Sequence, residues 1–244
     1  MLLPPRKQVV LERLYARYGR RLLRRSFASV NVGGAQWPAA ARPSIALLNH
    51  SAWWDPILAL HLSHDLFRRD GYGIMQGAQL ERYPFFRRVG CFGMSGSSIS
   101  DTRALAELAC ELLRSAPRRT LWLFPQGELL PARMPLHFRS GTARIALHVP
   151  HALIVPVAIR YEMRRDERPE CYVRIGPATE ADSDTSTVLT RRLERALASE
   201  LAALDDDLRT ETLGGYRPTI SGRRSMSALY DRTFGAHRAR HKAI

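Results

Sequence analysis

Ser44-Ile45-Ala46-Leu47-Leu48 runs straight into Asn49-His50-Ser51-Ala52-Trp53-Trp54-Asp55-Pro56, and this stretch decides the fold. A short apolar run without polar alternation suits a strand covered on both faces. Pro56 opens a helix predicted to about Arg68, with Leu58, Leu62 and Leu66 on one stripe. Strand, loop and helix in that order form half of a parallel crossover unit. In such units the loop at the carboxyl end of the strand is where chemistry is placed.

Working outward, the same alternation continues. Strands are predicted at Tyr72–Met75, Cys91–Met94, Thr120–Phe124, Leu153–Ile159 and Cys171–Ile175. Helices are predicted at Gln79–Arg88, at Asp101–Arg114 with Ser100 or Asp101 as its cap, and at Gly141–His148. The longest is Val188–Leu208, whose Leu189, Leu193, Leu197, Leu201, Leu204 and Leu208 fall in register. Strands interleaved with helices define an α/β fold, a largely parallel sheet flanked by helices. Pro156 interrupts one apolar strand and predicts an edge position or a bulge there. No internal repeat or linker divides the body.

The chain of 244 residues is 45% hydrophobic and 25% charged, which excludes disordered and collagen-like classes. Its net charge of +14 sits almost wholly at the two ends: residues 1–30 carry +7, residues 214–244 carry +6, and the body is nearly neutral. Within the first segment Leu11, Leu14, Tyr15, Tyr18 and Leu22 share one helical face, and Arg13, Arg17, Arg20 and Arg24 share the opposite one. This is a basic amphipathic helix over about 8–27, suited either to a membrane interface or to packing on the body. The last segment, Gly/Ser/Arg-rich with sparse apolar residues, reads as a loosely ordered basic tail. Three units follow: a membrane-surface helix (1–30), a catalytic body (31–213) and the tail (214–244). No run approaches the ~18 apolar residues of a spanning helix, and no apolar segment follows the basic start as in a signal peptide. Three cysteines without a Cys-x-x-Cys pair suit a reduced, cytoplasmic setting.

His50 and Asp55, five residues apart, suit a dyad in which the carboxylate fixes the imidazole tautomer and the other ring nitrogen acts as a base. Asp55 before Pro56 equally suits a helix cap. Trp53 and Trp54 add apolar bulk beside the base or pack in the core. The predicted strand ending at Phe124 is followed by Pro125-Gln126-Gly127-Glu128, a turn whose backbone N–H groups suit a phosphate or an oxyanion. Arg133 and Arg139 follow as phosphate contacts or solvated charges. Competing chemistries lack their signatures. Gly93-Met94-Ser95-Gly96-Ser97 fails the nucleophile elbow at its last position. His61-x-x-His64 and His148-x-x-His151 lack the glutamate of a zinc motif and read as surface histidines, and no phosphate-binding or dinucleotide loop is present. A basic binding module for membranes or nucleic acid, without catalysis, is the alternative from another class.

The set resembles the glycerolipid acyltransferase family that includes 1-acylglycerol-3-phosphate acyltransferase, over about residues 44–160. Asn49, His50 and Asp55 match its Asn-His-x4-Asp motif. Phe124, Pro125 and Gly127 match part of Phe-Pro-Glu-Gly-Thr-Arg. Phe138-Arg139-Ser140-Gly141 looks like Phe-Lys-x-Gly, and Val155-Pro156-Val157 matches the apolar fourth motif. The resemblance implies transfer of a fatty acyl group from acyl-CoA or acyl-carrier protein to a hydroxyl of a lipid acceptor such as a lysophospholipid. His50 and Asp55 would be catalytic. Asn49, Trp53, Trp54, Arg103, Phe124, Pro125, Gln126, Gly127, Glu128 and Arg139 would line the substrate. No metal or cofactor beyond the thioester cosubstrate is implied. Expected partners are the lipid acceptor, an anionic membrane surface and acyl-carrier protein, not nucleic acid, with the chain peripheral on the inner face of the cell membrane. Two departures stand out. Gln126 replaces the motif's Glu and Glu128 its Thr, and the second motif region, Cys91–Ser100, offers no Arg before Arg103. Both point to an acceptor other than plain lysophosphatidate.

Overall fold

The computed structural model describes residues 1–38, 42–96, 98–164, 166–181 and 185–222. In chain order the elements are β1 (Leu2–Leu3), α1 (Val9–Ser26), β2 (Ser29–Gly34), β3 (Ser44–Leu48), α2 (Asp55–His61), β4 (Asp70–Ile74), α3 (Gly77–Arg82), β5 (Cys91–Met94), α4 (Ile99–Arg114), β6 (Arg119–Leu123), α5 (Gly141–His148), β7 (Leu153–Glu162), β8 (Glu170–Ile175), α6 (Ser186–Arg209) and β9 (Arg217–Ser221). They build one nine-stranded sheet in the order β1-β5-β4-β6-β3-β7-β8-β2-β9. The five strands β5, β4, β6, β3 and β7 run parallel. β8 turns back antiparallel to β7 and pairs in parallel with β2. The expected α/β architecture is therefore the observed one, with β3 at its centre.

Every residue of β3 is buried. Ala46 and Leu48 point to the side covered by α1 and α2, where Leu23, Ile57, Leu58 and Leu62 meet them. Ile45 and Leu47 point to the side of α4, α5 and α6, against Leu113, Ile145 and Leu189. A strand covered on both faces has no polar face to alternate with, which is why its sequence is a continuous apolar run.

Several expectations change. The helix after the loop ends at His61 and continues as one π turn, Leu62–Leu66. The extra residue per turn rotates the stripe, so Leu58 and Leu62 are buried but Leu66 is exposed. His61, read as a surface histidine, is buried, its Nε2 meeting Thr219 on β9 at 3.2 Å. The helix predicted at 79–88 breaks at Pro84 into α3 and a 3₁₀ segment, Pro84–Val89. α4 is capped by Ser98, not by Ser100 or Asp101: the Ser98 hydroxyl accepts the Asp101 N–H at 3.1 Å. Pro156 lies inside the central strand β7, not at an edge. Ile154 N–H bonds Thr179 O, and Pro156 O accepts Gly176 N–H, so even-numbered residues face β8. Regular pairing with β8 starts only at Val157, and the missing proline N–H falls in that gap. Part of the supposed tail, Arg217–Ser221, is the edge strand β9 on β2, and residues 223–244 lie outside the described residues.

α1 occupies the predicted span and is packed on the body. Its seat is the row Glu12, Ala16, Gly19 and Leu23, one step around from the predicted apolar face. At Gly19 a Cβ would stand 3.3 Å from Ile57, so the small residue sets how closely α1 lies on α2. Lys7, bonded to Glu12 at 2.8 Å and Asp70 at 2.6 Å, fixes the start of the helix. Leu11, Tyr15 and Leu22 are half-buried, while Val10, Leu14 and Tyr18 face outward. Among the described residues no helix is long and apolar enough to cross a membrane.

Candidate active site

The site is assembled at the carboxyl ends of β3, β6 and β7. Asn49, the first residue beyond β3, is buried. Its amide accepts the Ile159 N–H at 2.8 Å and donates to Ile159 O at 3.1 Å, bridging the loop to β7 as a further rung of the ladder would. With both amide groups engaged, the buried Asn49 braces the loop.

His50 follows. Its carbonyl accepts the Leu130 N–H at 2.9 Å, and its ring stacks on Phe124, centroids 4.2 Å apart. The first and third motifs thus meet face to face. His50 Nδ1 lies 2.8 Å from Asp55 Oδ2. That oxygen also accepts the N–H groups of Ser51 and Ala52, at 2.8 and 2.9 Å, and Oδ1 accepts the Tyr161 hydroxyl at 2.6 Å. Asp55 is 0% exposed. A carboxylate taken wholly out of water is sustained only by such a set of donors. Its Oδ2 bonds run back to residues that precede it, its Oδ1 bonds Tyr161 on β7, and no first-turn N–H of α2 reaches it. This geometry is that of the dyad and not of the helix cap. With Nδ1–H directed at a carboxylate, Nε2 is the basic nitrogen. Nε2 has no partner among the described residues, and the His50 side chain keeps 20% exposure.

The turn after β6 forms the adjoining wall. Pro125 and Gln126 are buried, Gly127 and Glu128 exposed. Gly127 has φ +78, which favours glycine, and a Cβ there would stand 3.1 Å from the Arg139 guanidinium that lies over the turn. Arg139 is held there by its own N–H on Pro125 O, 2.9 Å, and by Glu128 at 3.8 Å. The Gly127 N–H, expected to face an oxyanion, instead closes the turn onto Phe124 O at 2.9 Å.

The two tryptophans divide. Trp54 packs edge-on against Phe27, 5.1 Å between centroids, and belongs to the core margin. Trp53 is 65% exposed beside the loop. Arg103 is 82% exposed and paired with Glu107 on its own helix, and it bonds neither the His50 loop nor the turn after β6. Tyr161 and Phe27 were missed by motif reading. A signal for Tyr161 existed, since alternate residues Val155, Val157, Ile159 and Tyr161 face the same side of β7.

Comparisons with known proteins bear on the family and the fold. The acyltransferase family model matches residues 29–160, more than half of the chain. The chain belongs to the acyltransferase family. Among solved structures, that of the 1-acyl-sn-glycerophosphate (LPA) acyltransferase PlsC from Thermotoga maritima superposes with a TM-score of 0.61 at 18% identity. The match covers 80% of this chain and 79% of that one. The two share a fold. No curated protein matches the sequence.

Proposed function

We propose that this acyltransferase moves a fatty acyl group from the thioester of acyl-CoA or acyl-carrier protein directly to a hydroxyl of a membrane lipid. The observation that carries this is a buried, four-times-bonded Asp55 fixing His50 while His50 Nε2 stays open beside Phe124. Nε2 takes the acceptor hydroxyl proton as the oxygen attacks the thioester carbonyl. Asp55 stabilises the imidazolium that forms. The tetrahedral oxyanion collapses, the C–S bond breaks, and the thiolate leaves with the proton from His50. Arg139 over Gly127 supplies positive charge at this wall for the oxyanion or a phosphate. No protein nucleophile takes part in this scheme.

The acceptor in this reading is not plain lysophosphatidate. Gln126 is uncharged where the motif carries Glu, and Arg103 is turned to solvent and paired with Glu107. The test is incubation with acyl-CoA or acyl-carrier protein and a panel of hydroxylated lipids: lysophosphatidate, lyso-ornithine lipid and glycosylated isoprenoids. Mass spectrometry of the products is expected to show an acylated lipid other than phosphatidate. Preferential, saturable acylation of lysophosphatidate would overturn the acceptor assignment. Free fatty acid alone would overturn transfer.

The lipid is reached from the surface of an anionic membrane, the inner face of the cell membrane. The outward row Val10, Leu14 and Tyr18 is flanked by exposed Arg13, Arg17, Arg20 and Arg24. Exposed Phe85 extends it, meeting Tyr15 at 5.3 Å. Each Arg near such a surface contributes on the order of 1 kcal/mol, screened by salt, and the apolar row adds a salt-insensitive part. Replacing the four arginines by Gln is expected to weaken binding to anionic vesicles at least tenfold in a flotation assay and to spare activity on a soluble short-chain acceptor. Unchanged binding would leave α1 as a packed element only.

A further inference from the structure

We infer that Tyr161 is a positioning residue for the His50–Asp55 pair: its hydroxyl holds one carboxylate oxygen so that the other alone meets the imidazole. The inference rests on the catalytic reading above for its effect on turnover, but not for its effect on His50 itself.

Three donors converge on Asp55 Oδ2: His50 Nδ1 and the N–H groups of Ser51 and Ala52. Oδ1 takes the Tyr161 hydroxyl at 2.6 Å and no other donor among the described residues. Without that hydroxyl a fully buried oxygen would be left unpaired, and the carboxylate would be held through Oδ2 alone. The groups that titrate and face Asp55 come from three elements: His50 on its own loop, Tyr161 on β7 and the buried Cys171 thiol on β8. No Lys or Arg bonds the carboxylate among the described residues, so the tyrosine supplies the one side-chain donor besides His50. Burial first, then Cys171 and Asp55, hold the Tyr161 hydroxyl well above its ordinary range. It therefore remains a protonated donor wherever an imidazole base works.

The ring is fixed as well as the hydroxyl. Phe27, the residue after α1, lies 5.6 Å from Tyr161 and 5.1 Å from Trp54. The seat of α1 thereby touches both the residue before Asp55 and the donor to it.

The sign of the effect follows. A hydrogen bond donated to a carboxylate lowers its affinity for a proton. Removing it makes Asp55 a stronger partner for the imidazolium and raises the pH at which His50 loses its proton. In Tyr161→Phe the ring contact with Phe27 is kept and only the hydroxyl goes. The His50 titration, followed by ¹⁵N NMR on the full chain, is expected to move up by about 0.5–1 pH unit, with His61 and His64 unmoved. The acid limb of kcat/KM should move with it. kcat should fall about tenfold, the contribution of one hydrogen bond to a charged group, with KM nearly unchanged. A chain made with 3-fluorotyrosine, a more acidic and stronger donor, should shift His50 the opposite way, and it carries the test if the Phe variant does not fold. Identical His50 titration in wild type and variants would overturn the proposal. A shifted His50 in a chain that acylates no lipid would uphold the positioning and count against the catalytic reading alone.

Discussion

α2 and the residues around it hold two aspartates bonded by histidine, Asp55 by His50 and Asp65 by both His61 and His64. In one, His50 Nδ1 meets Asp55 at 2.8 Å; in the other, His61 Nδ1 meets Asp65 at 3.0 Å. They differ in what the second nitrogen does and in which partner is buried. His50 leaves Nε2 open while its carboxylate is sealed. His61 is 4% exposed, and its Nε2 lies 3.2 Å from Thr219 Oγ1 on β9. The first pair, in the proposed mechanism, is a base with a fixed tautomer and an open ring nitrogen. The second fastens the edge strand to the helix. A His–Asp contact alone therefore does not single out a base; what distinguishes His50 is an open nitrogen backed by a saturated carboxylate.

The largest effect that separates the pairs is expected from deleting each histidine. His50→Ala should lower kcat about 10²–10⁴-fold with little change in melting temperature. His61→Ala should leave kcat within a few-fold and cost about 1–3 kcal/mol of stability, because it removes the bond to Thr219 that holds β9 and leaves Asp65 with His64 alone. Steady-state kinetics beside urea unfolding checks both, and a catalytic loss at His61 as large as at His50 would erase the distinction.

Exchanging the carboxylates sharpens it. Asp55→Asn should lower kcat at least about 10²-fold, since an amide neither fixes the Nδ1–H tautomer nor stabilises the imidazolium. Asp65→Asn should act on stability, by about 1 kcal/mol, measured in the same denaturant series.

The smallest effect is in pH. Burial lowers the pKa of His61; Asp65 pulls it up, Arg20 adds to the lowering, and the net direction is down. Above the unfolded value of about 6.5 both states are neutral there and the group has no influence. As pH falls below it, the unfolded chain binds a proton that the folded chain resists, so stability is lost on acidification. The drop in melting temperature between pH 7.5 and 5.5 is expected to be smaller in His61→Gln than in wild type. Equal drops would mean that His61 is not the group responsible.

What was legible in the sequence follows the range of the interactions. The Ser44–Leu48 strand, the loop and the alternation of elements are local patterns, and they stand in the structure. The dyad was readable as a spacing, but choosing it over the cap needed the direction of Asp55's bonds. Tyr161 and Ile159, which hold Asp55 and Asn49, lie more than a hundred residues away along the chain, beyond any spacing rule. β9 was taken for tail because an edge strand needs few buried side chains: Ile220 is its one buried residue. Leu66 was misassigned by a single π turn, which α-helical periodicity does not contain, and His61 because the strand that covers it was read as tail. Ser98 was passed over because Ser100 and Asp101, equally good cappers, follow within one turn.

The most direct test of the account is the stoichiometry of thiol release from acyl-CoA, read with and without the acceptor that the lipid panel identifies. A histidine acting as base, with no acyl-protein intermediate, should release thiol only when acceptor is present, one per lipid acylated, and His50→Ala should abolish the acceptor-dependent release. A stoichiometric burst of thiol without acceptor, accompanied by an acylated protein in the intact mass, would contradict it.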